Sequence, residues 1–311
     1  MKTVSGLEGK AINTGHVAFQ LAPRLNACGR LGHAARAVEL LLTDNAKEAE
    51  KIASELEQLN SRRQTLEDQI FSEIFREVEQ HPEFLRDTCL FFSSRDWHPG
   101  VIGIAASRLV ERFRMPSVLI ALSEENLGKG SARATGWLDL YQTLKQCQDL
   151  LVGFGGHRAA AGFTVRSDLI GVFRQAFEKA ASQELTDEVK APRLYIDAEV
   201  KLEEIDYRLV EELMLFEPYG MGNPKPLFLT RNVAVWERRI VGGDSLKLKI
   251  GDRKIFDAIG FRMGDRLPLL SDPIDLVFTP QLNHWLGSRK IELEMKDLTP
   301  HAVRQDLASA Q

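Results

Sequence analysis

The chain has 311 residues, 44% hydrophobic and 27% charged, with a formal net charge of −4. That length holds two or three domains that can each bury a core. No run approaches the ~18 apolar residues of a membrane span, and the N-terminus lacks the apolar core of a signal peptide. Cys28, Cys89 and Cys147 stand far apart with no CxxC pair, which fits small buried hydrophobes in a reducing cytoplasm.

In chain order, residues 1–43 read as the end of something larger. They hold an apolar stretch, Val17–Leu21, then the string Pro23–Leu31 and a short helical pattern through Ala37, Val38, Leu40 and Leu41. A long connector helix is predicted over 44–82. Asn45 is its N-cap with Glu48 at N3, a variant of the capping box. Ala49, Ile52, Leu56, Leu59, Leu66, Ile70, Ile74 and Val78 follow a three-four spacing, and Pro82 marks the end. A helix of roughly 55 Å suits a bridge between lobes better than a self-associating coil, because Arg63 interrupts the seam.

Residues 84–183 alternate strand and helix. Strands are expected at Thr88–Ser93, Pro116–Leu122 and Lys129–Ala134. Helices are expected at Val101–Phe113, at Asp139–Leu151 and from Ser167, with Ser167 as N-cap. Between the last two lies a glycine-rich string, read as turn and strand. This is a compact α/β domain, a mixed sheet with flanking helices. An acidic linker, Glu184–Lys190, leads to a β-rich region over 190–300. Its expected strands are Leu194–Ile196, Leu227–Leu229, Val233–Ile240, Leu246–Ile250, Ile255–Gly260, Ile274–Thr279 and Ile291–Leu298, with a helix near Tyr207–Leu215. Short strands with Gly/Asp turns suggest a small barrel. Residues 301–311 read as a tail.

The low net charge hides an asymmetry. Glu184 to Glu217 carries eleven acids and four bases, net −7; Lys225 to Arg266 carries ten bases and five acids, net +5. A basic block in a near-neutral chain fits a polyanion footprint or an ordinary solvated strand surface, and charge alone does not choose.

Two strings place bare backbone beside fixed positive charge: Gly130-Ser131-Ala132-Arg133, and Gly153-Phe154-Gly155-Gly156-His157-Arg158-Ala159-Ala160-Ala161-Gly162-Phe163. Glycine lets an anion approach the chain closely, and backbone N–H groups with Arg or His stabilise its charge. A tight turn of small residues would explain the glycines but not the Arg and His between them.

These strings join three others: Arg24-Leu25-Asn26-Ala27-Cys28-Gly29-Arg30-Leu31, the run from His98 to Leu109, and Phe216-Glu217-Pro218-Tyr219-Gly220-Met221-Gly222-Asn223-Pro224. In this order, over nearly the whole chain, they resemble the RecJ family of single-strand-specific DNA exonucleases. The resemblance implies a fold: the end of a metal-binding DHH catalytic domain (1–43), a connector helix, a DHH-associated α/β domain (84–183) and an OB-type β-barrel (190–300) for single-stranded DNA. It also implies a hydrolase using Mn²⁺ or Mg²⁺. The chain has no Asp-His-His, Asp-x-Asp or His-x-His, so it offers no clustered ligands for a two-metal site. We therefore expect no metal bound by this chain and no hydrolysis by it alone. The expected role is DNA binding within a 5′→3′ exonuclease of repair and recombination, in the cytoplasm, away from membranes, with an ssDNA-binding protein or helicase as partner. The alternative is a catalytically inactive RecJ-like scaffold. Relatives in the same superfamily that act on short oligonucleotides or cyclic dinucleotides lack the barrel.

By resemblance, Ser131 and Arg133 fall at the pocket for a 5′ phosphate, where an Arg fork and a hydroxyl suit a doubly charged terminal group. Gly155, Gly156 and Arg158 belong with them. His157 falls near the scissile phosphate, as the candidate catalytic group. Arg24, Asn26 and Arg30 resemble a loop lining the active site. His98, Pro99 and Gly100 read as a structural turn before a helix. In the barrel region Arg238, Arg239, Lys247 and Lys249, interleaved with Trp236 and Trp285, have the aromatic and basic mixture used on single strands.

Overall fold

The computed structural model describes residues 1–134, 136–184, 194–220, 222–270, 272–285 and 288–301. Most of the expected acidic linker and nearly all of the tail lie outside them. The chain forms two compact units, residues 1–192 and 193–311.

In the first unit, α1 (Thr14–His16) passes through a π-turn, Val17–Leu21, into α2 (Ala22–Leu31). The string from Pro23 to Leu31 is thus a helix and not the loop its resemblance suggested. Pro23 falls at the junction of the π-turn and α2. Ala27 and Cys28 face inward, and Cys28 packs on Ile52 and Leu56. After α3 (Ala35–Leu42) comes α4 (Ala46–Gln80). The Asn45 side chain accepts from the N–H groups of Lys47 at 3.0 Å and Glu48 at 3.3 Å. Glu48 does not reach back to the Asn45 N–H directly. Its carboxylate accepts from the Thr43 hydroxyl at 2.7 Å, and that hydroxyl accepts from the Asn45 N–H at 3.2 Å, so the capping box closes through a relay. The apolar face of α4 is used inside the unit: Ile52 and Leu56 against α2, then Ile70, Ile74 and Val78 against the next helix and the sheet. Arg63 lies on that seam, nearly buried, and donates to Asn60 and to Glu67 at 2.7 Å.

The sheet of this unit runs β1 (Leu90–Ser94), β2 (Ser117–Leu122), β3 (Leu127–Arg133), β4 (Leu151–His157) and β5 (Ala160–Arg166), in spatial order β1-β2-β3-β5-β4. Only β1 and β2 pair in parallel. Three helices complete it: α5 (Ile102–Phe113), α6 (Leu140–Gln146) and α7 (Ile170–Gln183). Side-chain alternation divides the sheet. Val118, Ile120, Ala132, Ala161 and Phe163 pack with Phe173 and Phe177 of α7. Leu90, Leu119 and Ala121 point the other way, under α4 and α5. Three expectations are corrected. The glycine-rich string is a two-stranded hairpin, held as strand by its ladder with β3 against the low strand propensity of glycine. The helix expected over Asp139–Leu151 stops at Gln146, and a 3₁₀ turn follows at Gln148–Leu150. Ser167 begins a 3₁₀ turn, with its N–H given to Asn126 O, and α7 starts without a side-chain cap.

Among its described residues the second unit is a seven-stranded sheet with one α-helix, α8 (Tyr207–Met214). Its strands are β6 (Ala198–Glu199), β7 (Phe228–Val233), β8 (Val235–Val241), β9 (Ser245–Ile250), β10 (Phe256–Gly260), β11 (Ile274–Trp285) and β12 (Ser288–Pro300). They are ordered β6-β7-β11-β12-β10-β9-β8, with β6–β7 and β10–β12 parallel. Leu246, Leu248, Phe256, Ile274, Phe278 and Leu293 fill the core. This is the OB-type arrangement expected. Leu194–Ile196 is not a strand: Tyr195 is 84% exposed, so its apolar residues lack a face to bury. β11 and β12 extend past the predicted ends as one long hairpin.

Asp275 on β11 gives this unit an acid-sensitive tie. Burial pushes its carboxyl up, but the Asn232 N–H at 3.0 Å, His301 at 2.6 Å and Arg231 at 3.1 Å together hold it below its ordinary value. A carboxylate depressed on folding stabilises above its unfolded pKa, and that contribution fades as pH falls through the folded value. Asp275→Asn should therefore lower stability at neutral pH and flatten the loss on acidification. Thermal melts between about pH 7 and about pH 3 check it; a variant melting curve parallel to the parent at every pH would refute the tie.

Candidate nucleic-acid interface

The face of the first unit's sheet that carries α5 is filled over β2 and bare beyond β3. Strand register sets out three cross-strand rows on it: Lys129–Thr164–Gly153, Ser131–Gly162–Gly155 and Arg133–Ala160–His157. Each row crosses two strand spacings, about 10 Å. A Cβ built on Gly153 or Gly155 meets no atom within 4 Å, and one on Gly162 meets only Gly130 O at 3.8 Å. The glycines leave an open floor. Between it and Pro99 and Ile102 at the start of α5 lies a cleft of about 440 Å³, which Lys129, Ser131, Gly153, Gly162 and Thr164 also line.

Ser131 and Arg133 form one unit at its edge. The Arg133 guanidinium donates to Ser131 Oγ at 2.9 Å and to Ala132 O at 2.8 Å. The start of α5 sits directly on the pair: a Cβ on Gly103 would lie 2.8 Å from Arg133 Nη2 and 2.9 Å from Ser131 Oγ. Arg30, at the last turn of α2, comes to the same place. Its guanidinium donates to Gly100 O at 3.3 Å, and Gly100 is needed because a Cβ there would lie 2.2 Å from Arg30 O. Burial lowers the pKa of Arg133, and the charge of Arg30 lowers it further. Burial, then Arg63, lower that of Arg30, partly offset by Glu67. Both remain charged at any ordinary pH. Among the described residues neither has a carboxylate at ion-pair distance. Two partly desolvated guanidiniums and a hydroxyl, close together with no carboxylate at ion-pair distance and only a partial offset from Glu67, make a place where an anion relieves repulsion.

The other predicted residues divide. Gly155 belongs to the open floor. Gly156 points to the opposite face, at φ 146°, with a built Cβ 2.4 Å from Ala160 O, so its lack of a side chain serves the hairpin. His157 is exposed at the end of β4; its Nδ1 accepts from the Ala159 N–H at 3.3 Å, leaving Nε2 to donate when the ring is neutral. Arg158 is exposed in the hairpin turn. Arg24 is tied to Glu57 of α4 and to Gln20 O, facing away from Arg30. Asn26 is exposed, one turn before Arg30 on α2. His98 fits its expected structural part: its Nδ1 accepts from the Gly100 N–H at 3.0 Å.

In the second unit the basic strand residues are largely neutralised. Lys249 pairs with Glu237 at 2.8 Å and Lys247 with Glu292 at 3.4 Å. Arg238 reaches Leu270 O at 3.2 Å. Arg239 alone of the four is without an ion pair or hydrogen bond among the described residues. Trp236 is 65% exposed and its indole donates to Gly251 O. The Trp285 side chain lies outside the described residues. Sequence reading passed over Gly103, Lys129, Gly162 and Thr164. The alternation Lys129-x-Ser131-x-Arg133 was the available signal, since strand period places all three on one face.

Among the described residues no three His, Cys, Asp or Glu side chains come together as a metal site, so the divalent ions of two-metal hydrolysis do not fit this set of groups. No described helix is long and apolar enough to cross a membrane.

Comparison with known proteins agrees with this architecture. Residues 87–183 match the DHHA1 domain and residues 196–297 the RecJ OB domain. The single-stranded-DNA-specific exonuclease RecJ of Bacillus subtilis is 35% identical over 303 residues, covering 96% of this chain and 38% of that protein. RecJ of Escherichia coli K12 is 29% identical over 309 residues, covering 96% and 53%. The crystal structure of Thermus thermophilus RecJ with Mn²⁺ superposes with a TM-score of 0.82 at 32% identity, covering 97% of this chain and 44% of that one; the Mg²⁺ complex gives 0.80 at 31%. The chain thus spans about two fifths to one half of its RecJ relatives. With the DHHA1 and OB domains in RecJ order, matched along almost its whole length, the chain belongs to the RecJ family.

Proposed function

We propose that this chain is the DNA-holding portion of a RecJ-type 5′→3′ single-stranded-DNA exonuclease of repair and recombination, working in the cytoplasm. The observation that carries the reading is the trio Arg30, Ser131 and Arg133, without a carboxylate at ion-pair distance among the described residues, beside the open glycine floor. A terminal phosphate has more negative charge and more acceptor oxygens than an internal diester, so two guanidiniums and a hydroxyl favour a strand end. The glycines let the first nucleotide lie against the peptide planes without a side chain in its way.

Anchoring the 5′ phosphate places the next phosphodiester one nucleotide further along. That gives the polarity and the release of mononucleotides. His157, about 10 Å across the sheet from Arg133, is proposed to contact the bound strand through Nε2. Arg158 and Asn26 lie on the approach. Mn²⁺ or Mg²⁺ supplies Lewis-acid hydrolysis in the complete enzyme, and no step through the metal is assigned to these residues. Arg239 and the exposed Trp236, both on β8, are the proposed contacts of the OB unit. Arg24, Arg238, Lys247 and Lys249 are bound by their own neighbours and would reach DNA only by exchanging them. Cooperation with an ssDNA-binding protein or helicase belongs to the same proposal, with no residue assigned to it.

The test is binding of the chain to labelled oligothymidylates ending in 5′ phosphate, 5′ hydroxyl or 3′ phosphate. The 5′-phosphorylated strand should bind tightest, with affinity falling steeply as salt rises. Equal affinity for all three ends would remove the end-holding role.

A further inference from the structure

Lys129 is the one charged group in the cleft that the end-holding trio does not use. It precedes Ser131 by two residues on β3 and shares its face. It is exposed, lines the cleft with Thr164 and Gly153, and has no hydrogen bond or ion pair among the described residues. Two residues of strand separate successive same-face side chains by about 6.8 Å. An extended nucleic-acid backbone has as many bonds from phosphate to phosphate as a polypeptide has in two residues, so the two repeats are commensurate. The floor between the positions is Gly162 and Gly153, without side chains to obstruct a strand.

We propose that Lys129 and the Thr164 hydroxyl form a second phosphoryl site, one strand repeat from the site of Ser131 and Arg133, so that β3 holds two consecutive phosphoryl groups in line. This rests on the end-holding reading above and adds to it a defined second anion. Two sources share that chemistry. One is an internal phosphodiester of a strand lying along β3; the other is an outer phosphoryl group of a 5′-polyphosphate end. A lysine suits either, as a mobile point charge that follows a phosphate without demanding one orientation.

The experiment measures binding of the full chain to oligothymidylates with 5′ hydroxyl, 5′ monophosphate or 5′ triphosphate, in the parent, Lys129→Gln and Arg133→Gln. Lys129 is exposed, so its substitution should leave the thermal melt unchanged. If the second anion is an internal phosphodiester, Lys129→Gln should weaken strand binding about three- to tenfold and reduce the slope of log affinity against log salt by about 0.7, the share of one phosphate on a single strand. If the second anion is internal, the loss is equal for all three ends. If it is an outer phosphoryl, the parent prefers the triphosphate and Lys129→Gln removes that preference alone. Unchanged affinity and salt slope for all ends in Lys129→Gln, with Arg133→Gln still abolishing the monophosphate preference, would overturn this inference and leave the end-holding reading intact. No preference for a 5′ phosphate in the parent would overturn the end-holding reading itself.

Discussion

Arg133→Gln is expected to erase the preference for a 5′-phosphorylated strand, a loss of about 10- to 100-fold for that ligand and little for the 5′-hydroxyl strand. Charge-assisted hydrogen bonds are worth about 1.5–3 kcal/mol, and a tenfold change in affinity corresponds to about 1.4 kcal/mol. The stability of the unliganded chain should move the other way or not at all. Arg133 is partly desolvated and repelled by Arg30, and its hydrogen bonds go to the neutral Ser131 hydroxyl and Ala132 carbonyl rather than to a carboxylate. A neutral side chain of similar reach removes the repulsion. Inorganic phosphate should raise the melting temperature of the parent by mass action and fail to raise that of the variant. A variant that still prefers the phosphorylated end would move the anchor elsewhere. A variant that unfolds would show that the guanidinium is a packing element first.

Adjacent glycines should separate stability from binding. Gly156→Ala should cost about 3 kcal/mol or more. Its φ of 146° is a conformation that L side chains avoid, and the new Cβ would lie 2.4 Å from Ala160 O and 2.5 Å from Ala161 Cα. Gly155→Ala should leave stability within about 0.5 kcal/mol, since its Cβ enters empty space. That space lies over the open glycine floor beside the cleft, in the row of Ser131 and Gly162, so Gly155→Ala should weaken oligonucleotide binding several-fold while folding normally. Thermal melts and anisotropy titrations of the two variants read both axes. Equal destabilisation by both substitutions would contradict the assignment of faces, and unimpaired binding by Gly155→Ala would take the strand off this floor.

The architecture was legible because its signals are local and repeated. The three-four apolar spacing of α4 and the Asn45 cap depend on few neighbours, and the OB strands alternate plainly. What the sequence withheld depends on pairing between distant segments. The hairpin β4–β5 contains so many glycines that strand propensity argues against it; its ladder with β3 decides the matter. Pro23–Leu31 was expected as a loop on its resemblance alone. Its buried face, Ala27 and Cys28, is recognisable only once α4 is in place. Among the site residues, Ser131 and Arg133 could be named from their string, but their closeness to Arg30, about a hundred positions earlier, could not. The ion pairs that occupy Lys247 and Lys249 were equally hidden, because Glu292 and Glu237 reach them only through strand register.

The path of α4 has a mechanical consequence. Near Leu56 it carries α2, which delivers Arg30; near Ile70 and Ile74 it carries α5, whose first turn rests on Arg133. Those attachment points are about 21 Å apart along one uninterrupted rod. The gap between the two guanidiniums is therefore gauged by a single stiff helix together with the contact of Arg30 on Gly100. A proline or paired glycines introduced between Leu59 and Leu66 would uncouple the two jaws of the grip while sparing every residue that touches the anion.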